Sequence, residues 1–225
     1  MRYLYPLGAV LLLGVWAEAP AQNYTERYYE PRQHVHWHMD TGYDATTGQI
    51  KSFLDGGWTI GGGFTWQPDF SSPFALRTDL NYSRFQATRQ LIGINAAADQ
   101  TEIDDGYGDI VDLAVDGEYR MPLSPYLTGF AVAGVGVAHR HIALTQTVAV
   151  GGYVCDYWFG FCDYGLVPGD VVVASDSTTR FTWNAGLGLD FALGGGQTFF
   201  VEARFTRMQT AQPTDFVPIR VGLRF

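Results

Sequence analysis

Apolar and polar residues alternate along most of the chain, and the clearest example is its last stretch. Residues 217–225 read VPIRVGLRF, with apolar side chains at the odd positions and Pro, Arg or Gly at the even ones. A period of two puts the two sets on opposite faces of a β-strand. The same alternation recurs at residues 35–43, 58–66, 76–82, 111–120, 181–191 and 199–205. With a less regular stretch at 126–138, the pattern predicts eight strands.

The fifth of these strands is the irregular one. Within FAVAGVGVA, residues 130–138, the apolar positions switch from one face to the other. Glycine permits the local bend of a β-bulge, and bulges move side chains between faces. We therefore expect a bulge or a bend in this strand.

The connections between the predicted strands differ in length in a regular way. Those after strands two, four and six are short and rich in Pro, Gly and Ser, at residues 67–73, 121–125 and 192–197. Those after strands one, three, five and seven are longer, and two of them are very long, at 85–109 and 139–180. Alternation of tight turns and long loops is typical of membrane barrels. The predicted fold is an all-β, closed antiparallel up-and-down transmembrane β-barrel of eight strands.

Aromatic residues stand at the strand ends that border the short connections. The ring of such residues that this predicts consists of Trp66, Phe74, Tyr119, Tyr126, Phe191, Phe199 and Phe225. Aromatic rings with a polar edge favour the membrane–water interface. The prediction is an interfacial girdle at one level of the barrel, and the alternative is a set of ordinary core aromatics near turns.

The polar faces of the predicted strands carry nearly balanced charges. They comprise six acids and five arginines: Asp79, Asp112, Asp116, Glu118, Asp190, Glu202, Arg77, Arg120, Arg204, Arg220 and Arg224. Unpaired charges in a narrow interior cost several kcal/mol each, so a balanced set is what a packed ion-pair network requires. We expect this network in the lumen of a barrel; on a soluble sandwich the same charges would face water.

The N-terminus has the features of a targeting segment. Arg2 precedes an apolar stretch at residues 7–16, and small residues follow at 19–21. This order is that of a secretory signal peptide, and the apolar stretch is too short for a membrane-spanning helix. We predict a signal peptide at 1–21, a short periplasmic lead-in at 22–33 and the barrel domain at 34–225. An N-terminal membrane anchor is the alternative.

Composition excludes one class of partner. The net charge is −9, and Lys51 is the single lysine. Binding to a phosphate backbone requires clustered Lys and Arg, so nucleic acid is not an expected partner.

These features together resemble the outer-membrane β-barrel family, which includes the transmembrane domain of outer-membrane protein A and opacity-type surface antigens. The segment LSPYLTGFAVAGVGV is similar to a Pro-Tyr strand of that family, and the terminal VPIRVGLRF is similar to its last strand. The resemblance covers about residues 34–225. It implies location in the Gram-negative outer membrane, contact with membrane lipid, and reading of the C-terminal Phe225 strand by the barrel assembly machinery. It also implies surface loops that bind a host or environmental ligand. We expect a monomer.

Two sets of residues carry candidate chemistry. Cys155 and Cys162 lie close in sequence in the third long loop, and export to an oxidising compartment favours a disulfide between them. The four aromatics between them, Tyr157, Trp158, Phe159 and Phe161, form either a contact site or a cluster buried against the loop. His34, His36 and His38 share one face of the first strand. They are weak candidates for a metal site, with polar filling of the lumen as the alternative.

The sequence favours a structural or surface-interaction protein without catalytic residues or cofactors. A rigid scaffold that presents long loops is a common arrangement for binding. Two alternatives remain open. The first is a narrow or gated channel for small solutes, although eight strands leave an interior that side chains fill. The second is a lipid-modifying enzyme, although no Gly-x-Ser-x-Gly motif is present.

Overall fold

The computed structural model describes residues 34–69, 72–99, 103–156, 160–211 and 213–225. The predicted signal peptide, lead-in and three of the four loop aromatics (Tyr157, Trp158 and Phe159) lie outside these ranges, so those assignments stay predictions. The fourth aromatic, Phe161, is described only in its backbone.

Eight antiparallel strands form a closed barrel in which each strand pairs with its neighbours in sequence and β1 pairs with β8. The strands are β1 Val35–Thr47, β2 Leu54–Trp66, β3 Phe74–Ala87, β4 Asp105–Ser124, β5 Leu127–Asp156, β6 Phe161–Gly194, β7 Gln197–Met208 and β8 Thr214–Arg224. The predicted all-β, up-and-down barrel of eight strands is confirmed. We call the end with the β2–β3, β4–β5 and β6–β7 connections the turn end, and the opposite end the loop end.

Alternation of side chains places polar groups inside and apolar groups outside. In β3 the inward residues Arg77, Asp79 and Asn81 are buried, whereas Leu76 and Leu80 are exposed on the outer surface. The same division holds in β1, β4 and β6, where exposed Met39, Leu113 and Leu187 belong to the outer face. The barrel is therefore the reverse of a soluble protein, with an apolar exterior and a polar interior.

Two short helical segments interrupt the β-structure at the loop end. A 3-10 turn at Gly48–Ser52 connects β1 to β2, and helix α1, Arg89–Asp99, lies between β3 and β4. Neither was expected from the sequence. Within the described part of the chain, no helix is both long enough and apolar enough to traverse a membrane.

The expected bulge in the fifth strand is wrong. β5 keeps an unbroken register with β4 and β6 from Thr128 to Leu144. The apolar positions switch faces in the sequence because Phe130 and Val132 point inward, where they pack with Phe200. Register shifts occur instead at the turn end, between Pro122 and Ser124, and at the base of the β5–β6 hairpin, between Leu144 and Thr145.

The expected alternation of connection lengths holds only in part. The β4–β5 and β6–β7 turns are tight, and in the latter Gly195 and Gly196 have positive φ angles of 61° and 78°, which glycine adopts without steric cost. The β1–β2 and β7–β8 connections are no longer than the β2–β3 turn. The segment 139–180 is not a loop, because β5 and β6 remain paired through it up to Cys155 and Cys162. Residues that alternate weakly in hydrophobicity can still form a hairpin when the barrel already holds the two strands side by side.

Candidate functional site in the lumen and at the loop end

A closed ring of ion pairs lies in the middle of the lumen. Arg77 bonds Asp79 through Nε at 2.8 Å and Glu202 through Nη1 at 2.6 Å. Arg204 bonds the same two carboxylates, Glu202 through Nε at 2.7 Å and Asp79 through Nη2 at 2.9 Å. Each arginine therefore joins both acids, and each acid joins both arginines. The ring ties β3 to β7 across the interior, and Arg204 Nη1 adds Asp116 of β4 at 2.7 Å.

A second group of charges lies toward the turn end. Arg224 Nη1 is 3.1 Å from both Glu118 Oε1 and Asp190 Oδ2. Arg120 Nε also bonds Glu118 Oε1, at 2.5 Å. Arg120 is the one member of the predicted network that is not buried. These contacts connect β4, β6 and β8. Ion pairs across the lumen therefore hold β8 in place in addition to its pairing with the neighbouring strands.

The remaining predicted charges are bonded to neutral groups. Arg220 Nη1 donates to Asn81 Oδ1 at 2.9 Å, and Asp112 accepts a bond of 2.9 Å from the Thr182 hydroxyl. The sequence interpretation did not single out Asn81 or Thr182. The sequence feature that could have identified them is their position on the same inward strand faces as the charges.

β1 adds three inward groups that change the charge balance. His38 donates from Nε2 to Asp79 Oδ1 at 2.7 Å, so its imidazole belongs to the ring network. Asp40 and Asp44 are also buried, and the guanidinium nearest Asp40 is that of Arg220, with its Nε at 3.8 Å. Sequence reasoning missed both aspartates, although they alternate with Thr41 and Tyr43 in the first strand. The interior therefore carries more carboxylates than the near balance expected.

The three histidines of β1 do not come together. His38 is hydrogen-bonded to Asp79, and His36 is half-buried. The exposed His34 ring lies 3.0 Å from the Gln67 carbonyl. Among the described residues, no group of three or more His, Cys, Asp or Glu side chains is placed to hold a metal ion.

Apolar side chains fill the lumen among the charges and at the loop end. Phe130, Val132 and Phe200 pack together between the two groups of charges, since the Phe200 ring lies 5.6 Å from the Arg77 guanidinium and 5.5 Å from that of Arg224. A larger group, here called the loop-end cluster, consists of Ile50, Leu54, Phe85, Ile110, Ala138, Met208 and Phe216. Glycine makes room for this filling, for example at Gly188, where a Cβ would lie 2.2 Å from the Phe130 ring. The interior is packed rather than open.

The seven predicted girdle aromatics stand where the strands meet the turn end. Six are exposed, Phe199 is half-buried, and neighbouring rings are in contact, with centroids 5.2 Å apart for Phe74 and Tyr119. The outward aromatics Trp58, Tyr82 and Trp183 lie nearer the loop end; the sequence placed them on the outer face but did not predict that they form a second set. Trp58 and Trp66 are eight residues apart in β2, about 27 Å along the strand. With a strand tilt of about 40°, this is about 20 Å along the barrel axis, comparable to the apolar band of a membrane barrel, about 25 Å tall.

The hairpin of β5 and β6 extends beyond the barrel wall. β4 pairs with β5 only as far as Thr145, and β7 pairs with β6 only as far as Thr182. The part we call the projecting hairpin, residues 146–156 and 160–171, pairs only with itself among the described residues. Its tip is closed by the Cys155–Cys162 disulfide, as the sequence predicted.

Comparison with known proteins identifies what these features belong to. The model of the outer membrane protein beta-barrel domain matches residues 7–225. Among solved structures, a major outer membrane protein from Thermus thermophilus aligns with a TM-score of 0.55 at 10% identity, covering 86% of this chain and 99% of that one. Neisserial surface protein A aligns with a TM-score of 0.52 at 10% identity, covering 85% and 96%.

Identity this low means that the two structures show the shared fold alone, and no curated protein matches the chain. The family model, in contrast, spans nearly all of it. The chain therefore belongs to the family of outer membrane proteins with a β-barrel domain.

Proposed function

We propose that this protein is a surface-interaction protein of the Gram-negative outer membrane, in which the barrel is the anchor and the projecting hairpin is the binding element. A signal peptide at 1–21 would deliver the chain, and the Phe225 strand would be read by the barrel assembly machinery. Outer-membrane barrels have short periplasmic turns and longer extracellular segments. The turn end is then periplasmic, and the hairpin projects from the cell.

The observation that carries the proposal is the length of paired strand beyond the barrel. From Thr145, the last β5 residue paired with β4, to Cys155 there are ten residues, about 33 Å of strand. An isolated two-stranded hairpin is marginally stable in water. This one continues from two strands that are already paired in the barrel wall and ends in a disulfide, so both of its ends are fixed.

The surface chemistry of the projecting hairpin indicates its kind of partner. Tyr153 and Tyr164 are 75% and 66% exposed with ring centroids 5.3 Å apart, and Leu166 is 76% exposed. Segment 146–171 contains three aspartates and no Lys, Arg or His. Exposed aromatic and aliphatic groups of this size mark contact sites. A partner that combines apolar groups with positive charge complements this surface.

The packed interior and the placement of the histidines give less support to the two alternatives. A channel needs a continuous path, whereas ion pairs and two apolar clusters fill the lumen. A Ser–His hydrolase needs a base oriented by an acid. His38 has such an acid in Asp79, but its Nδ1 has no hydrogen-bond partner among the described residues and so contacts no serine. His139 Nδ1 is 2.8 Å from the Thr179 hydroxyl, but among the described residues His139 has no carboxylate partner.

The proposal is tested by removing the hairpin from the intact barrel. Residues 149–168 are replaced by Asn-Gly, a two-residue turn that keeps the Val148–Gly169 pair. Cells that display the full or the shortened chain are then bound to beads coated with alkylamine, alkylcarboxylate or polyethylene glycol. We expect the full chain to favour alkylamine beads and the shortened chain to lose that preference.

A matched variant separates surface chemistry from length. Tyr153→Ser with Tyr164→Ser keeps the hairpin and should reduce adhesion to alkylamine beads. Both variants must retain the boiling-dependent gel shift of a folded barrel. Equal adhesion of all three chains to every bead would refute the proposal.

A further inference from the structure

A cavity of about 400 Å³ lies at the extracellular mouth of the barrel, apart from the projecting hairpin. Its walls come from the β1–β2 connection, helix α1, β5 and the β7–β8 connection. Ile50, Phe53, Leu91 and Ile142 form its apolar side. Ile50 is part of the loop-end cluster, and the other three pack against that cluster. The cavity therefore opens outward above an apolar floor.

Among the described residues, Arg140 is the one charged group that lines this cavity. The Arg140 side chain points inward from β5 and its Nη1 donates to the Thr214 hydroxyl of β8 at 2.8 Å. The Thr210 hydroxyl, which also lines the cavity, is 3.4 Å from that of Thr214. Guanidinium and hydroxyl groups thus form a polar side opposite the apolar wall.

Arg140 differs from the arginines deeper in the lumen. Arg77, Arg204 and Arg224 each have carboxylates at 3.1 Å or less. Among the described residues, no carboxylate lies within 4.0 Å of Arg140, although it is half-buried. Asp176, the acid that acts on it electrostatically, lies on the exposed part of β6. A half-buried cation without a carboxylate retains capacity to bind an anion.

We propose that this cavity binds a small amphiphile with an anionic head group. The head group accepts hydrogen bonds from Arg140, and the tail packs against Ile50, Phe53, Leu91 and Ile142. The volume is at the small end of the range of ligand sites, which suits a tail of about eight carbons. Because the loop-end cluster closes the floor, the ligand is retained at the mouth and does not cross the barrel. This site does not depend on the function proposed for the projecting hairpin.

The test is calorimetric titration of the protein, purified from outer membranes into phosphatidylcholine nanodiscs, with octanoate, octanol and octylamine. Titrations of empty nanodiscs are subtracted, because all three probes enter lipid. Arg140→Gln removes the charge, and Ile142→Trp fills the cavity while the charge remains. Arg180→Gln is the matched control, since Arg180 is exposed and does not line the cavity. The boiling-dependent gel shift verifies that each variant is folded.

We expect octanoate to bind the wild-type protein and Arg180→Gln alike, and octanol and octylamine to bind at least tenfold more weakly. Arg140→Gln should weaken octanoate at least tenfold, because hydrogen bonds to a charged group are about twice as strong as neutral ones. Ile142→Trp should abolish saturable binding. Equal binding of the three probes, or of octanoate to all variants, would overturn the proposal. If Arg140→Gln does not fold, the proposal is tested by the Ile142→Trp variant and by the comparison of the three probes on the wild-type protein.

Discussion

Replacing Arg204 by leucine removes a group that makes three ionic contacts in the lumen. Its guanidinium bonds Asp79, Asp116 and Glu202 at 2.7–2.9 Å, and its side chain is buried. The leucine leaves three buried carboxylates with one bond fewer each. Removing one partner of a buried ion pair costs about 3–5 kcal/mol, because the remaining charge stays desolvated. That is a large part of the total stability of about 5–15 kcal/mol of a typical domain.

The strand supplies its own control three residues further on. Arg207 points outward and makes a bidentate pair with Asp215 at 2.6 and 2.7 Å, but its side chain is 38% exposed. Water reaches Arg207 and screens this pair, so its loss should cost less than the loss of an ion pair whose members are all buried, although Asp215 is itself buried. Urea unfolding of both variants in lipid vesicles, followed by tryptophan fluorescence, should show a clearly larger loss for Arg204→Leu than for Arg207→Leu. Similar losses in the two variants would refute the idea that the buried ring stabilises the barrel.

Three further predictions concern the hairpin, a turn and the lumen. Removing the disulfide by Cys155→Ser with Cys162→Ser should make the hairpin tip more sensitive to protease, while the barrel unfolds as before. The reason is that closing a loop of eight residues stabilises only that segment, by about 2.5 kcal/mol. A fall in barrel stability would contradict this. Gly196→Val places a β-branched residue at a φ of 78° and should reduce the yield of folded barrel on refolding, whereas Gly165→Val, at a position with open space in the projecting hairpin, should not. In planar bilayers the wild-type protein should show no sustained open-pore current, because charges and apolar clusters fill its lumen; a steady conductance would favour the channel alternative.

The barrel could be predicted because period-two alternation is a local property of each strand. The sequence of β3 places Arg77 and Asp79 on one face and Leu76 and Leu80 on the other, and the structure has the same division. The disulfide could be predicted for a similar reason, since Cys155 and Cys162 are close in sequence. The sequence could not predict which inward charges contact each other. Arg77 and Glu202 are 125 residues apart, and their contact depends on the register of all the strands between them.

The wrong predictions have a common physical origin in packing between distant residues. Phe130 and Val132 looked like a switch of faces because apolar residues were assigned to the outside, yet they fill the lumen against Phe200. The segment 139–180 looked like a loop because its alternation is weak, but pairing with the partner strand satisfies its backbone. Asp40 and Asp44 were missed because the first strand was characterised by its outward face alone. The mouth cavity joins residues from four connections and strands, so no single stretch of sequence indicates it.

The most direct test of the central account is the gel mobility of the chain recovered from fractionated cells, compared with and without boiling. A closed barrel with a tightly bonded interior stays folded in cold detergent, so we predict recovery in the outer-membrane fraction and a change of mobility on boiling. Recovery in the soluble periplasm, with the same mobility before and after boiling, would contradict both the membrane location and the closed, ion-paired barrel.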